Sequence, residues 1–193
     1  MTWSRLVLVT ILMAGAPPGH LGAQSAQAVS LQVSGLFNGV FGGLFTGAGA
    51  EAQIRYTPGA FSVGAGFQYT SHELDGQRED ASLLGGFIEP RYRIHAGSNV
   101  VAPYVAARFS LLKIGFSGGD LSLSSSVVLI NGGGGVLVRL GSHVNADLGA
   151  TYGYSRLGDG TLTEGSTGVQ TPVRASSGTN LAVRLGLAFG LGD

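Results

Sequence analysis

The chain contains no cysteine, which excludes disulfide frameworks, thiolate metal sites and cysteine nucleophiles. Charge is scarce as well. Asp, Glu, Lys and Arg together make up 11% of the 193 residues, and Lys113 is the single lysine. The formal net charge of zero argues against a nucleic-acid footprint. No segment reads as a transmembrane helix, which needs about 20 consecutive apolar residues. The apolar run at 6–14 is too short, and the uncharged stretch 121–138 is full of Ser and Gly. Glycine is what the sequence has in excess, at 34 positions. It follows no strict three-residue period, so a collagen-like chain is excluded, while low charge with high Gly is unusual for a soluble domain.

The first residues have the form of a secretory signal peptide: Arg5 as a short basic region, an apolar stretch over 6–14, then small residues. Cleavage is expected after Ala23 or, from Ala26-Gln27-Ala28, after Ala28. The domain expected beyond it spans 28–191.

From Val29 onward, apolar residues recur at every second position, the period of a strand. The last segment is the clearest. Leu181, Val183, Leu185, Leu187, Phe189 and Leu191 share one face, and Asn180, Ala182, Arg184, Gly186, Ala188 and Gly190 share the other. Eight strands are predicted, at about 28–41, 44–57, 60–71, 82–94, 101–112, 125–140, 143–156 and 178–191. Gly42-Gly43 predicts a two-residue hairpin turn. That turn sets Phe41 opposite Leu44, Phe37 opposite Ala48 and Val33 opposite Ala52. The connections 57–60, 95–100 and 141–143 are short; 72–81, 113–124 and 157–177 are longer and polar. This alternation matches the short periplasmic turns and long outer loops of membrane barrels. The Gly-Gly hairpin breaks the pattern unless it protrudes. Pro90 and Pro103 fall inside strands, where each removes a ladder donor, so a bulge or frayed rim is expected there.

The placement of charge decides which face is inside. Nine charged residues lie in the predicted strands: Glu51, Arg55, Glu89, Arg91, Arg93, Arg108, Arg139, Asp147 and Arg184. All lie opposite the large apolar side chains. A charge facing lipid at mid-membrane costs about 2–4 kcal/mol, so it is excluded from that face. A water-soluble barrel shows the reverse arrangement. The expected fold is therefore all-β, an eight-stranded antiparallel up-and-down transmembrane β-barrel. Small inward residues such as Gly64, Gly66, Gly133, Gly135, Gly149 and Gly153 leave room for arginines in so narrow a lumen. Interfacial aromatic girdles are expected from Tyr56, Phe61, Tyr92 and Phe189 near the periplasmic rim, and from Phe37, Phe41, Tyr69, Phe109 and Tyr154 toward the outer rim.

Depth divides the lumen charges. Glu51, Glu89, Arg108 and Arg184 are expected near mid-membrane as a salt-bridge plug that leaves no open pore. Arg55, Arg91, Arg93, Arg139 and Asp147 are expected nearer the periplasm, with positive charge in excess. If the lumen conducts, those arginines predict a weak anion preference.

No catalytic, cofactor or metal site emerges. Ser71-His72-Glu73 has nucleophile-type residues, but neighbours in a strand point to opposite faces. Ser142-His143 lies in a tight turn, and His95 reads as a solvated turn residue. Glu73, Asp75, Glu79 and Asp80 form an acidic loop in which a divalent cation is the less favoured reading. The run Gly132–Gly135 lacks the helix and lysine of a phosphate cradle and reads as strand. The stretch 157–177, rich in Gly, Thr and Ser, is long enough to serve as a binding loop.

The segments GFIEPRYRI (86–94), APYVAARF (102–109) and GGGGVLVRL (132–140) give the chain its resemblance to the small outer-membrane β-barrel family that includes the OmpA membrane domain and OmpX. The resemblance covers the chain beyond the signal and implies an outer-membrane location. Expected partners are outer-membrane lipid, lipopolysaccharide and the assembly machinery. Many such barrels end on an aromatic residue; here Phe189 is followed by Gly190-Leu191-Gly192-Asp193. Members range from structural proteins to adhesins, channels and lipid enzymes, so the likeness does not choose an activity.

Overall fold

The computed structural model describes residues 28–40, 45–73, 80–118, 121–164 and 166–191. The signal segment and Phe41 lie outside them. Ten strands follow in order: β1 Val29–Val40, β2 Phe45–Tyr56, β3 Phe61–Glu73, β4 Asp80–Arg93, β5 Val101–Gly118, β6 Leu121–Arg139, β7 Val144–Leu157, β8 Gly160–Glu164, β9 Gln170–Val173 and β10 Ser176–Leu191. Strands β1 to β7 and β10 pair antiparallel with their neighbours, and β10 returns to β1 to close the wall. The fold is a closed eight-stranded up-and-down β-barrel.

The registers run without slippage. Gly39 of β1 faces Leu181, which faces Tyr152, then Gly132, then Ala107. The β4–β5 register places Pro90 next, followed by Val63, Tyr56 and finally Val29 of β1 itself. One circuit thus drops ten residues, from 39 to 29. With about 3.3 Å per residue and about 4.8 Å between strands, that stagger tilts the strands by about 40°. This is the tilt of membrane barrels.

Alternation then sorts the side chains. Outward positions are apolar and open: Phe67 is 72% exposed, and Ile54, Ile88, Leu111 and Leu185 are all more than half exposed. Inward positions are buried and many are polar: Glu89 and Asp147 have no exposure at all. The protein is apolar outside and charged inside, as a lipid-immersed barrel requires.

Several sequence expectations change. The β1–β2 register gives Phe37↔Ala48 and Val33↔Ala52 and continues to Val40↔Phe45. The Gly42-Gly43 turn itself, within 41–44, lies outside the described residues. The polar stretch 113–124 is not a long loop. Strands β5 and β6 stay paired to Gly118↔Leu121, because Ile114, Phe116 and Leu123 carry the strand pattern onward. The stretch 157–177 is also structured: β8 pairs with the far end of β6, and β9 pairs with β8. Gly168, at φ 67°, turns the β8–β9 hairpin, and its N–H donates to Glu164 O. No bulge accompanies Pro90. The register is the same at Ile88↔Phe109 and Arg91↔Ala106, and only the ladder between them is interrupted, where Pro90 has no N–H to give.

Two ends result. The short-turn end carries 57–60, 94–100 and 140–143 and both ends of the closing pair Val29↔Leu191. The loop end is high at β5, β6, β8 and β9.

Candidate functional site

The lumen is the candidate site. Its centre is Glu89 on β4, which receives guanidiniums from four arginines. Oε1 accepts from Arg55 Nη2 at 2.9 Å and from Arg91 Nε at 2.6 Å. Oε2 accepts from Arg108 Nη1 at 3.3 Å and from Arg184 Nη1. These cations come from β2, β4, β5 and β10, so the carboxylate ties together strands from around the barrel. All four arginines are at most 3% exposed.

Two further carboxylates extend the network. Glu51 Oε2 accepts from Arg108 Nη2 at 2.6 Å, and Gln68 Oε1 accepts from the same nitrogen at 2.7 Å. Asp147 Oδ2 accepts from Arg91 Nη2 at 2.9 Å and Gln32 Nε2 at 2.6 Å, while its Oδ1 accepts from the Tyr104 hydroxyl at 2.7 Å. Arg184 Nη2 donates to that same hydroxyl at 3.0 Å. Arg55 also donates to Gln53 Oε1 and Ser62 Oγ. Charge-assisted bonds of this kind are about twice as strong as neutral ones. Aromatic faces complete the enclosure: the Arg91 guanidinium lies 4.3 Å from the Tyr104 ring centroid, and that of Arg108 lies 3.6 Å from Phe87.

Glycines make the room. A Cβ on Gly64 would sit 2.2 Å from Gln53 Oε1 and 2.7 Å from Arg55 Nη2. One on Gly149 would sit 2.4 Å from the Tyr104 oxygen and 2.9 Å from Arg184 Nε.

The two sets of charges expected from depth are joined by contacts. Glu51, Glu89, Arg108 and Arg184 do meet, but Arg55, Arg91 and Asp147 from the expected periplasmic set join the same network. Two residues along a strand is only about 6.7 Å, which a long arginine side chain spans. Arg93 and Arg139 stay apart and turn to backbone carbonyls, Arg93 to Gly59 O and Arg139 to Gly141 O. Tyr104 and Phe87 also line the lumen, beyond the charged residues expected there. Each has the same parity as the charges on its strand, a signal present in the sequence.

Toward the loop end the lumen turns partly apolar. Val40, Leu83, Leu112, Ile114, Val127 and Leu129 pack together inside the barrel. Asn131 and Asn180 exchange hydrogen bonds of 2.5 and 2.9 Å nearby. His72 is buried with its ring 2.8 Å from Thr70 Oγ1, over Gly47, where a Cβ would approach it to 2.7 Å. Ser71 is its strand neighbour and half-buried on the other side of the pleat. The side chains of the acidic stretch Glu73, Asp75, Glu79 and Asp80 lie outside the described residues. Gly132–Gly135 lies within β6. The girdle residues Phe37, Tyr56, Phe61, Tyr69, Tyr92, Phe109, Tyr154 and Phe189 all face outward and are exposed.

No family model and no curated protein matches the chain. Solved structures do. Neisserial surface protein A superposes with a TM-score of 0.60 at 16% identity, over 85% of this chain and 97% of that one. The outer membrane protein OprG from Pseudomonas aeruginosa gives 0.57 at 11% identity, over 88% and 97%. Ail, the attachment invasion locus protein of Yersinia pestis, gives 0.51 at 18% identity, over 83% and 96%. The fold is that of the small outer-membrane β-barrels. At these identities the likeness extends to the architecture alone.

Proposed function

We propose that this chain is an outer-membrane barrel with a structural or surface-interaction role, whose lumen is closed by the network centred on Glu89. The observation that carries the reading is the complete burial of Glu89 among four guanidiniums drawn from four strands. A water-filled pore would leave these groups solvated. The apolar outer surface supports residence in a bilayer, and the N-terminal segment supports export with cleavage after Ala23 or Ala28. In this reading the short-turn end faces the periplasm, and β5, β6, β8 and β9 project outward as the surface available to partners. Lipid and lipopolysaccharide contact the belt, and the assembly machinery inserts the chain. His72 and Ser71 lie on opposite faces of β3, which supports a non-enzymatic role. Planar-bilayer recording tests the proposal: the refolded barrel is expected to give no steady conductance. Large, stable currents would refute closure, and their selectivity would identify the alternative, a narrow channel with anion preference set by Arg93 and Arg139.

A further inference from the structure

We infer that the lumen binds a monovalent, chloride-sized anion on the short-turn side of Glu89, against Arg55 and Arg91. This goes beyond closure and stands whether or not the barrel conducts. The first ground is charge. The buried network contains four arginines, Arg55, Arg91, Arg108 and Arg184, against three carboxylates, Glu51, Glu89 and Asp147. Arginine keeps its proton, so one positive charge is left over within the buried network. An uncompensated buried charge is strongly unfavourable, and water relieves it far less well than a counter-ion does.

The second ground is geometry. Arg55 and Arg91 flank the same oxygen, Glu89 Oε1, so their guanidiniums are held close together. Each still has a buried donor without a protein partner, Nε of Arg55 and Nη1 of Arg91. The Ser30 hydroxyl, also buried and unpartnered, belongs to the residue paired with Arg55 across β1 and β2. An anion lodged beside these two guanidiniums would give the unused donors a partner and offset the excess charge. Asp147 does not compete for it, because both its oxygens are already engaged.

The third ground is access. Arg93 and Arg139 stand at the short-turn end, with His95 and His143 in the adjoining turns. Among the described residues no carboxylate lies at that mouth beyond Asp147. A cationic mouth concentrates anions. The excess of one charge and the small number of free donors favour a halide over phosphate or sulfate.

The refolded full barrel in detergent provides the test, with thermal unfolding followed in sodium chloride and in sodium gluconate at equal ionic strength. A saturable rise of the midpoint in chloride, absent in gluconate, is expected. Crystals grown in bromide are expected to show an anomalous peak between Arg55 and Arg91. Arg55→Gln balances the network at three against three and is expected to abolish the chloride response. Ser30→Ala is expected to raise the half-saturating chloride concentration several-fold, and it decides the matter if Arg55→Gln does not fold. Equal midpoints in the two salts, a bromide peak outside the lumen, an undiminished chloride response in Arg55→Gln, or an unchanged half-saturating concentration in Ser30→Ala would overturn the site.

Discussion

The hydroxyl of Tyr104 donates to Asp147 Oδ1 over 2.7 Å and accepts from Arg184 Nη2 at 3.0 Å, so one phenol on β5 joins an acid on β7 to a base on β10. Its ring reaches them by lying over Gly135 and Gly149, where a Cβ would come within 2.5 Å of the phenol oxygen. Removing the oxygen alone in Tyr104→Phe leaves a carboxylate oxygen and a guanidinium nitrogen buried without partners. The expected loss is about 1–3 kcal/mol, read from urea unfolding in detergent or lipid.

Glu89 and Glu51 are both buried carboxylates, but they differ in how many cations depend on them. Glu89→Gln strips four arginines of their shared anion and is expected to cost about 3–5 kcal/mol. Glu51→Gln affects only Arg108, which keeps Glu89 and Gln68, and is expected to cost clearly less. The ratio of the two unfolding free energies checks the hub assignment. Equal losses would remove Glu89 from the centre.

Gly64 faces the crowded lumen, whereas Gly132 lies on the open outer face. Gly64→Ala places a methyl against Gln53 and Arg55 and is expected to cost about 1–3 kcal/mol through overpacking. Gly132→Ala, on the same barrel, meets nothing within 4 Å and is expected to leave stability nearly unchanged. The temperature at which the folded band is lost on an unboiled gel compares them directly.

Depth in the membrane separates Phe67 from Phe61. Phe67 lies well inside β3 among outward apolar residues, whereas Phe61 begins that strand at the short-turn rim. Phe67→Arg is expected to cost about 2–4 kcal/mol and Phe61→Arg about 0–1 kcal/mol. Equilibrium unfolding from liposomes measures both, and a larger loss at Phe61 would move the belt.

The barrel was legible in the sequence because its signal is local. Strand parity and the exclusion of charge from one face, as in Glu89, Arg91 and Arg93 of one strand, are visible along a single segment. Who meets whom is not local. Arg55 reaches Glu89 across β3, and Arg184 reaches it from the far wall, distances set by stagger and side-chain length. The inward apolar group Leu83, Leu112 and Val127 was hidden for another reason. Leu83-Leu84, Leu111-Leu112 and 127–130 put apolar side chains on both faces, so alternation disappears there. The strands β8 and β9 are short and polar, with Thr161, Thr163 and Thr171, and they form because β6 extends beyond β7 and offers an edge to β8.

The edge presented by β9 carries a block to strand addition at Pro172. Leu162↔Thr171 and Gly160↔Val173 alternate with Thr161↔Pro172 along the hairpin, counting from the bond that Glu164 N donates to Val169 O. That alternation turns the backbone nitrogen of Pro172 toward the open side, where proline has no hydrogen to donate.

The seam between β1 and β10 also governs how the protein is made. Val29 meets Leu191, so the first strand of the wall finds its second neighbour only when the last one arrives. Loop closure on that scale is slow, and until it happens β1 and β10 keep unpaired edges. A partly built wall therefore keeps two open edges. The chain must be kept from aggregating until the whole wall can close at once, so its hazard lies in the time before completion rather than in the finished fold.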